Sequence, residues 1–240
     1  MWRSDVNGQR LTFRLIGVNN QNFIMEDEQT GTWWQQVTGE AIQGPLKGEQ
    51  LEPMPFEIVS FDIWRSENPN GRILAVEEGR LADYAATDWV EDLQANFPVP
   101  EQLIPDGELG ARDLIVGVEI DGRSKAYSLA TLQEQTPISD RVGSTPILLA
   151  VARDGKSVRA FDRRLDGEEL ELYAVAGADP PAFFDAGSGS QFDFRGVAVS
   201  GPRQGRQLDR ITSITEFWFD WREYHKDTAV YRGGSIPMSR

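Results

Sequence analysis

One segment of this chain is written twice. Gly39, Ala41, Gly44, Pro45, Gly48 and Leu51 recur as Gly196, Ala198, Gly201, Pro202, Gly205 and Leu208, a constant shift of 157 positions (39 to 196). Trp64-Arg65 recurs as Trp221-Arg222 at the same shift. Upstream, Thr30-Gly31-Thr32 matches Ser188-Gly189-Ser190, and Asn7-Gly8 with Leu11 matches Asp166-Gly167 with Leu170, once a one-residue gap is allowed at each step. Chance rarely places four such matches in one order, and a repeat restricts the fold to something built twice. The glycines sit where tight turns between strands need positive φ. A sharper reading, that they let a ligand approach the backbone, is the less favoured one.

Turn chemistry says what the repeated unit is made of. Asp121-Gly122 separates alternating residues 114–120 from 124–129. Asp154-Gly155 separates 147–151 from 158–161. Aspartate–glycine between apolar runs is a strong hairpin signal. Asp166-Gly167, followed by the run 170–175, continues the meander, and Asn7-Gly8 repeats that last turn in the first half. The longest apolar run, residues 146–152, reads as a buried strand and is far short of the ~20 residues that span a bilayer. Helices are expected to be short. Ser60 caps one through Ile63 and Trp64 that ends before Pro69, and Thr215 caps its counterpart over 216–225. A third is expected around Trp89 and Leu93, stopped by Pro98 and Pro100.

The fold class that follows is β-rich, all-β or α+β with short helices, as two tandem copies of one antiparallel β unit. The expected division is a first β unit at 1–77, a linker with a short helix at 78–110, a second, complete unit at 111–231, and a tail at 232–240. Residues 114–165 of the second unit have no counterpart ahead of Asn7-Gly8, so the first unit reads as incomplete and the chain as a fragment, without a signal peptide at its start.

Composition removes several function classes. The net charge is −14, with 38 acidic residues against 24 basic ones. Such a surface repels phosphate backbones and anionic membranes, so nucleic acid is not an expected partner. There is no cysteine and His225 is the single histidine, which leaves neither thiol chemistry nor a Cys/His zinc site. No metal site and no cofactor is expected within the chain, although a carboxylate site for calcium or magnesium remains open. So many acidic residues offer so many pairs that no glycosidase pair stands out.

The densest polar and aromatic cluster is Asp27, Thr30, Thr32, Trp34 and Gln36. As a candidate ligand site, Asp27, Thr30, Trp34 and Gln36 would orient a small molecule beside an indole ring. The competing reading, that Asp27 bonds turn amides, is favoured because Asp185 and Ser188 repeat the polar pair while Gln191-Phe192 replaces the tryptophans. Arg163-Arg164 reads as a solvated strand end rather than an anion site. His225 shows no sequence partner and sits near a helix end, where a cation is favoured. Gly187-Ser188-Gly189-Ser190 lacks the flanking residues of a nucleophile elbow or a phosphate loop. No catalytic residue is assigned.

Three groups of residues resemble a known family. Asp27 through Gln36 followed by Gly39 through Gly44, Val116-Gly117-Val118 with Ser124-Lys125-Ala126-Tyr127, and Phe217 through Trp221 with Asp227-Thr228 are similar to motifs of domain-of-unknown-function family 3179, in family order from about Trp2 to Tyr231. The resemblance implies an exported, extracytoplasmic protein. It also implies a His-Glu…Asn-Asp segment and a Cys-Pro-Leu-Cys segment in a complete first unit, ahead of Met1. In the second unit Ser139-Asp140 stands for the Asn-Asp pair, and Ala152 and Gly155 stand where the two cysteines would be. Two functions are therefore carried forward. One is a non-enzymatic extracytoplasmic binding or structural module with a small-molecule or protein partner. The alternative is a thiol-redox or metal-site protein whose histidine and Cys-x-x-Cys residues lie upstream of this chain.

Overall fold

The computed structural model describes all residues except 21, 55, 85, 87, 97, 105, 106, 108 and 234–240. The tail expected at 232–240 lies outside the described residues from 234 onward. The chain is β-rich with a few short helices. It divides into two compact units, Met1–Phe56 and Glu57–Arg240.

The first unit opens with a hairpin of β1 (Asp5–Val6) and β2 (Gln9–Arg10), turned by Asn7 and Gly8, both at positive φ. A meander follows: β3 (Phe13–Asn19), β4 (Asn22–Asp27), β5 (Trp33–Gln35) and β6 (Ala41–Gln43), each antiparallel to the next. Its core is Val6, Leu11, Trp34, Ala41 and Leu51, with Trp2, Phe13, Met25 and Leu46 packed against it.

The second unit begins with α1 (Phe61–Glu67), capped by the Ser60 hydroxyl as its sequence predicts. Next comes α2 (Trp89–Asn96), where a helix around Trp89 is expected. The Asp121-Gly122 hairpin is β7 (Leu114–Ile120) against β8 (Arg123–Ser128). A helix not read from the sequence, α3 (Leu129–Gln135), leads to β9 (Ile138–Val142). Beyond it, β10 (Thr145–Val151) and β11 (Val158–Asp162) form the Asp154-Gly155 hairpin. β12 (Arg164–Leu165) and β13 (Glu168–Glu169) enclose Asp166-Gly167. A second meander follows, built of β14 (Leu172–Ala174), β15 (Phe183–Asp185), β16 (Gln191–Phe192) and β17 (Ala198–Ser200). The chain closes with β18 (Arg210–Ile211), β19 (Ser213–Phe217), α4 (Trp218–Tyr224) and β20 (Ala229–Val230).

Two four-stranded sheets, in the orders β19-β7-β8-β20 and β18-β11-β10-β9, face each other across Val116, Val118, Tyr127, Ile147 and Leu149. The far face of β10 and β11 presents Leu148, Ala150 and Phe161 to Phe183 and Phe192 of the second meander and to Leu208 beyond it. The far face of β7 and β8 presents Ile115 and Ala126 to Trp218 and Trp221 of α4. Because β10 has apolar neighbours on both sides, every residue of it is buried. A strand covered on both faces reads as a continuous apolar run rather than an alternation.

One helix start needs correction. Residues 213–217 are strand, not helix, and Thr215 caps nothing: Thr215 and Phe217 pair with Val116 and Leu114 of β7. The ladder formed across the sheet outweighs the local capping signal, and α4 starts at Trp218 after Phe217, which gives no side-chain cap.

Candidate functional site

Asp27 ends β4 and starts the turn to β5, where backbone amides would otherwise lack acceptors. Its carboxylate takes them. Oδ1 accepts from the Thr30 amide at 2.5 Å, and Oδ2 accepts from the Thr30 hydroxyl at 2.8 Å and from the Trp34 indole Nε1 at 2.9 Å. The Thr30 and Thr32 hydroxyls meet at 2.7 Å, and the Thr32 hydroxyl accepts from the Leu46 amide at 3.1 Å. Asp27, Thr32 and Trp34 are fully buried. Burial alone would raise the Asp27 pKa, but the Trp34 and Thr30 donors outweigh it and hold the carboxyl below its usual value.

The second meander builds the same knot from different residues. Asp185 Oδ2 accepts from the Ser188 amide at 3.1 Å and its hydroxyl at 2.6 Å. The Ser188 hydroxyl reaches that of Ser190 at 2.9 Å, and Ser190 Oγ accepts from the Arg203 amide at 3.0 Å. Phe192 carries no indole donor; Arg203 lies alongside as an ion-pair partner, with Nε 3.7 Å from Asp185 Oδ2, too far for a hydrogen bond. Burial again acts upward on Asp185 and the Ser188 donors prevail, so its pKa is lowered.

Backbone contacts correspond as closely. Ala41 N donates to Glu49 O at 2.9 Å as Ala198 N does to Arg206 O at 2.8 Å, and Leu51 N to Gly39 O at 2.9 Å as Leu208 N does to Gly196 O at 2.9 Å. Gly44 and Gly201 have φ of 107° and 87°. A Cβ there would lie 2.7 Å from the Thr32 Cα and 2.6 Å from the Ser190 Cα respectively. The approach that requires glycine is made by the chain's own backbone.

The structure thus brings together Asp27, Thr30 and Trp34 of the four candidate ligand residues. Gln36 is apart, exposed, with its backbone oxygen accepting from the Trp2 indole at 2.7 Å. Arg163 is spent on the Ile147 and Leu170 carbonyls and on Glu169, and Arg164 on Asp162. His225 has a partner the sequence does not show: Nε2 is 2.9 Å from Glu119 Oε2, while Nδ1 is 3.1 Å from the Trp221 carbonyl and the ring stacks on Trp221 at 3.6 Å.

Three features lie outside the sequence-based candidates. Lys125 and Tyr127 on β8 converge on Asp140 of β9: Lys125 Nζ is 2.6 Å and the Tyr127 hydroxyl 2.8 Å from the same oxygen, Oδ2. Burial, then the Asp140 charge, pushes the Tyr127 phenol far up. The half-buried Glu216 of β19 has its pKa pushed up to about 8 by burial and then by the charge of Asp220. A cavity of about 480 Å3 opens between the end of α3, the end of β10 and the loop after β14. Ala152 and Gly155 line it, beside Thr136, Val151 and Phe183, with Arg153 among the polar groups. Sheet pairing is what brings Lys125 and Tyr127 to Asp140 and joins the cavity walls, and no single motif shows that convergence.

A family described as protein of unknown function (DUF3179) matches residues 1–228. The chain belongs to this family. No curated protein and no solved structure matches it. Within the matched residues, Trp221 Nε1 donates to Thr228 Oγ1 at 2.9 Å, and Lys125 and Tyr127 share Asp140. Among the described residues no group of three or more His, Cys, Asp or Glu is arranged to hold a metal ion, and no helix is long and apolar enough to cross a membrane.

Proposed function

We propose that this chain is a non-enzymatic binding module that works outside the cytoplasm and takes a small molecule into the cavity of its second unit. The observation that carries the reading is the cavity itself. At about 480 Å3 it has the size of a small-ligand site, which is usually apolar with a few placed polar groups. Its walls come from alanines, valines and prolines. The Thr136 oxygen accepts from the Val151 amide at 2.9 Å, which leaves its proton for a ligand. Gln133 Nε2 is engaged by the Gly155 carbonyl at 2.9 Å, which fixes the amide at the rim. A compact, mainly apolar molecule with one hydrogen-bond acceptor suits this lining. The Asp27 and Asp185 knots read as turn locks, because their oxygens are already filled by the chain's own donors. We also read the two meanders as copies of one unit, a reading supported by their matching hydrogen bonds.

Screening small apolar acceptors by amide NMR tests the site. Shifts should cluster at residues 133–137, 151–155 and 174–183, and Ala178→Trp, which fills the mouth, should abolish them. Hits that map elsewhere, or that survive the filled mouth, would remove the cavity as the binding site.

A further inference from the structure

Among the described residues that line the cavity of the second unit, Arg153 alone is charged. The chain carries a net charge of −14, so a cation at this place runs against the general balance. Two turns fix where it stands. Arg153 follows β10, in a turn where Ala152 N donates to Ser157 O at 2.9 Å and Gly155 N to Ala152 O at 2.9 Å. On the wall formed by the loop after β14, Val175 N donates to Ala182 O at 2.9 Å and Ala178 N to Val175 O at 3.2 Å.

The guanidinium between these turns is loosely held. Nη2 donates to Gly177 O at 3.4 Å, and Nη1 lies 3.4 Å from Asp179 Oδ2. Charge-assisted bonds of arginine normally close to about 2.7–2.9 Å. Elsewhere in this unit they do: Arg159 reaches Glu57 at 2.6 Å and Glu67 at 2.6 Å and 2.7 Å, and Arg163 reaches the Leu170 carbonyl at 2.7 Å. The Arg153 side chain is 63% exposed and that of Asp179 50%, and an open pair of this kind contributes little. A guanidinium is a planar fork of N–H donors that matches a carboxylate. These long contacts leave most of the fork for a ligand. The Thr136 hydroxyl, bonded to the Val151 amide at 2.9 Å, lies near the same end of β10, two residues before Arg153.

We infer that the ligand of this cavity is a small monocarboxylate, its carboxylate held by Arg153 and its compact apolar body lodged among Ala174, Ala182 and Phe183. The inference rests on the cavity being the binding site and adds the charge of what enters it. One negative charge suits one guanidinium. A phosphate or a dicarboxylate would set a second charge against Asp179 or against the apolar walls, and either costs affinity.

Amide NMR titrations of the whole chain with benzoate and benzamide, and with isovalerate and isovaleramide, test this at low ionic strength. Each carboxylate should bind about tenfold more tightly than its amide, with shifts at residues 151–155 and 174–183. Arg153→Gln changes an exposed side chain and leaves the core intact. It should erase the difference by weakening the carboxylates alone. Asp179→Asn removes the competing carboxylate and should tighten benzoate. Acid and amide that bind the parent alike overturn the inference and leave the cavity standing as a site for neutral molecules. So do carboxylates that keep their advantage in Arg153→Gln, or an Asp179→Asn change that weakens benzoate. Inorganic phosphate that binds as tightly as benzoate also overturns it. Absence of shifts at those residues with every probe at millimolar concentration overturns the inference together with the cavity reading beneath it.

Discussion

The indole Nε1 of Trp34 donates to Asp27 Oδ2 at 2.9 Å with both residues fully buried, while Phe192, in the matching place, donates nothing and Arg203 Nε stays 3.7 Å from Asp185 Oδ2. The indole hydrogen-bonds its aspartate, whereas the guanidinium only offers its charge from 3.7 Å. Trp34→Phe should keep most of the packing and leave a buried carboxylate one donor short, at about 1–3 kcal/mol. Phe192→Trp should gain nothing comparable, because the Asp185 oxygen is already served by Ser188 and faced by Arg203. Chemical denaturation of both variants checks this. Equal effects at the two positions would show that the indole bond carries no special weight.

Both aspartates hold their protons less tightly when folded than when unfolded. A depressed folded pKa contributes stability that is present above the unfolded value of about 3.9 and is lost as pH falls through the folded value. Asp27→Asn and Asp185→Asn should therefore destabilise the chain at pH 7 and approach the parent's stability near pH 2. Melting curves across that range measure it, and a penalty independent of pH would contradict the assignment.

The glycines separate strain from space. Gly48 and Gly205 have φ of 90° and 84° and open space where a Cβ would go. Alanine at either should cost the left-handed penalty alone, about 1–2 kcal/mol. At Gly44 and Gly201 a Cβ also meets backbone, adding about 1–3 kcal/mol of overpacking. Stability should thus fall more for Gly44→Ala than Gly48→Ala, and likewise for Gly201→Ala against Gly205→Ala. Reversal in either pair would show that the close backbone approach is not what selects glycine there.

The sequence announced what depends on neighbours along the chain. The Asp121-Gly122 and Asp154-Gly155 hairpins, the buried run at β10 and the Ser60 cap are local signals that no distant contact opposes. Thr215 looks like a helix cap until β7 pairs with it, and α4 starts only at Trp218. Of the site, Asp27, Thr30 and Trp34 are close in sequence and meet in space, whereas Gln36 follows a strand that carries it away. The Lys125–Asp140 pair, the Glu119 partner of His225 and the cavity all require sheet order. Periodicity does not encode that order.

Glu216 tests the second unit's tightness. It shares a sheet face with Ile115, the residue opposite it on β7, and Ile115 is fully buried under α4. Burial first, then the charge of Asp220 four residues on, raises its pKa to about 8. An unfolded glutamate titrates near 4.3, so between roughly pH 4 and 8 the folded chain holds a proton that the unfolded chain has released. The Glu216 contribution to stability must then be fullest below pH 4 and decline as pH rises through 8. Glu216→Gln keeps the shape and removes the ionisation. It should be nearly neutral at pH 4 and stabilising by about 1–3 kcal/mol at pH 9, where the parent buries a charge. Asp220→Asn should bring the Glu216 midpoint down, which carboxyl NMR titration reads directly. A Glu216→Gln variant that gains as much at pH 4 as at pH 9 would show that the side chain is not protonated in the folded chain at neutral pH.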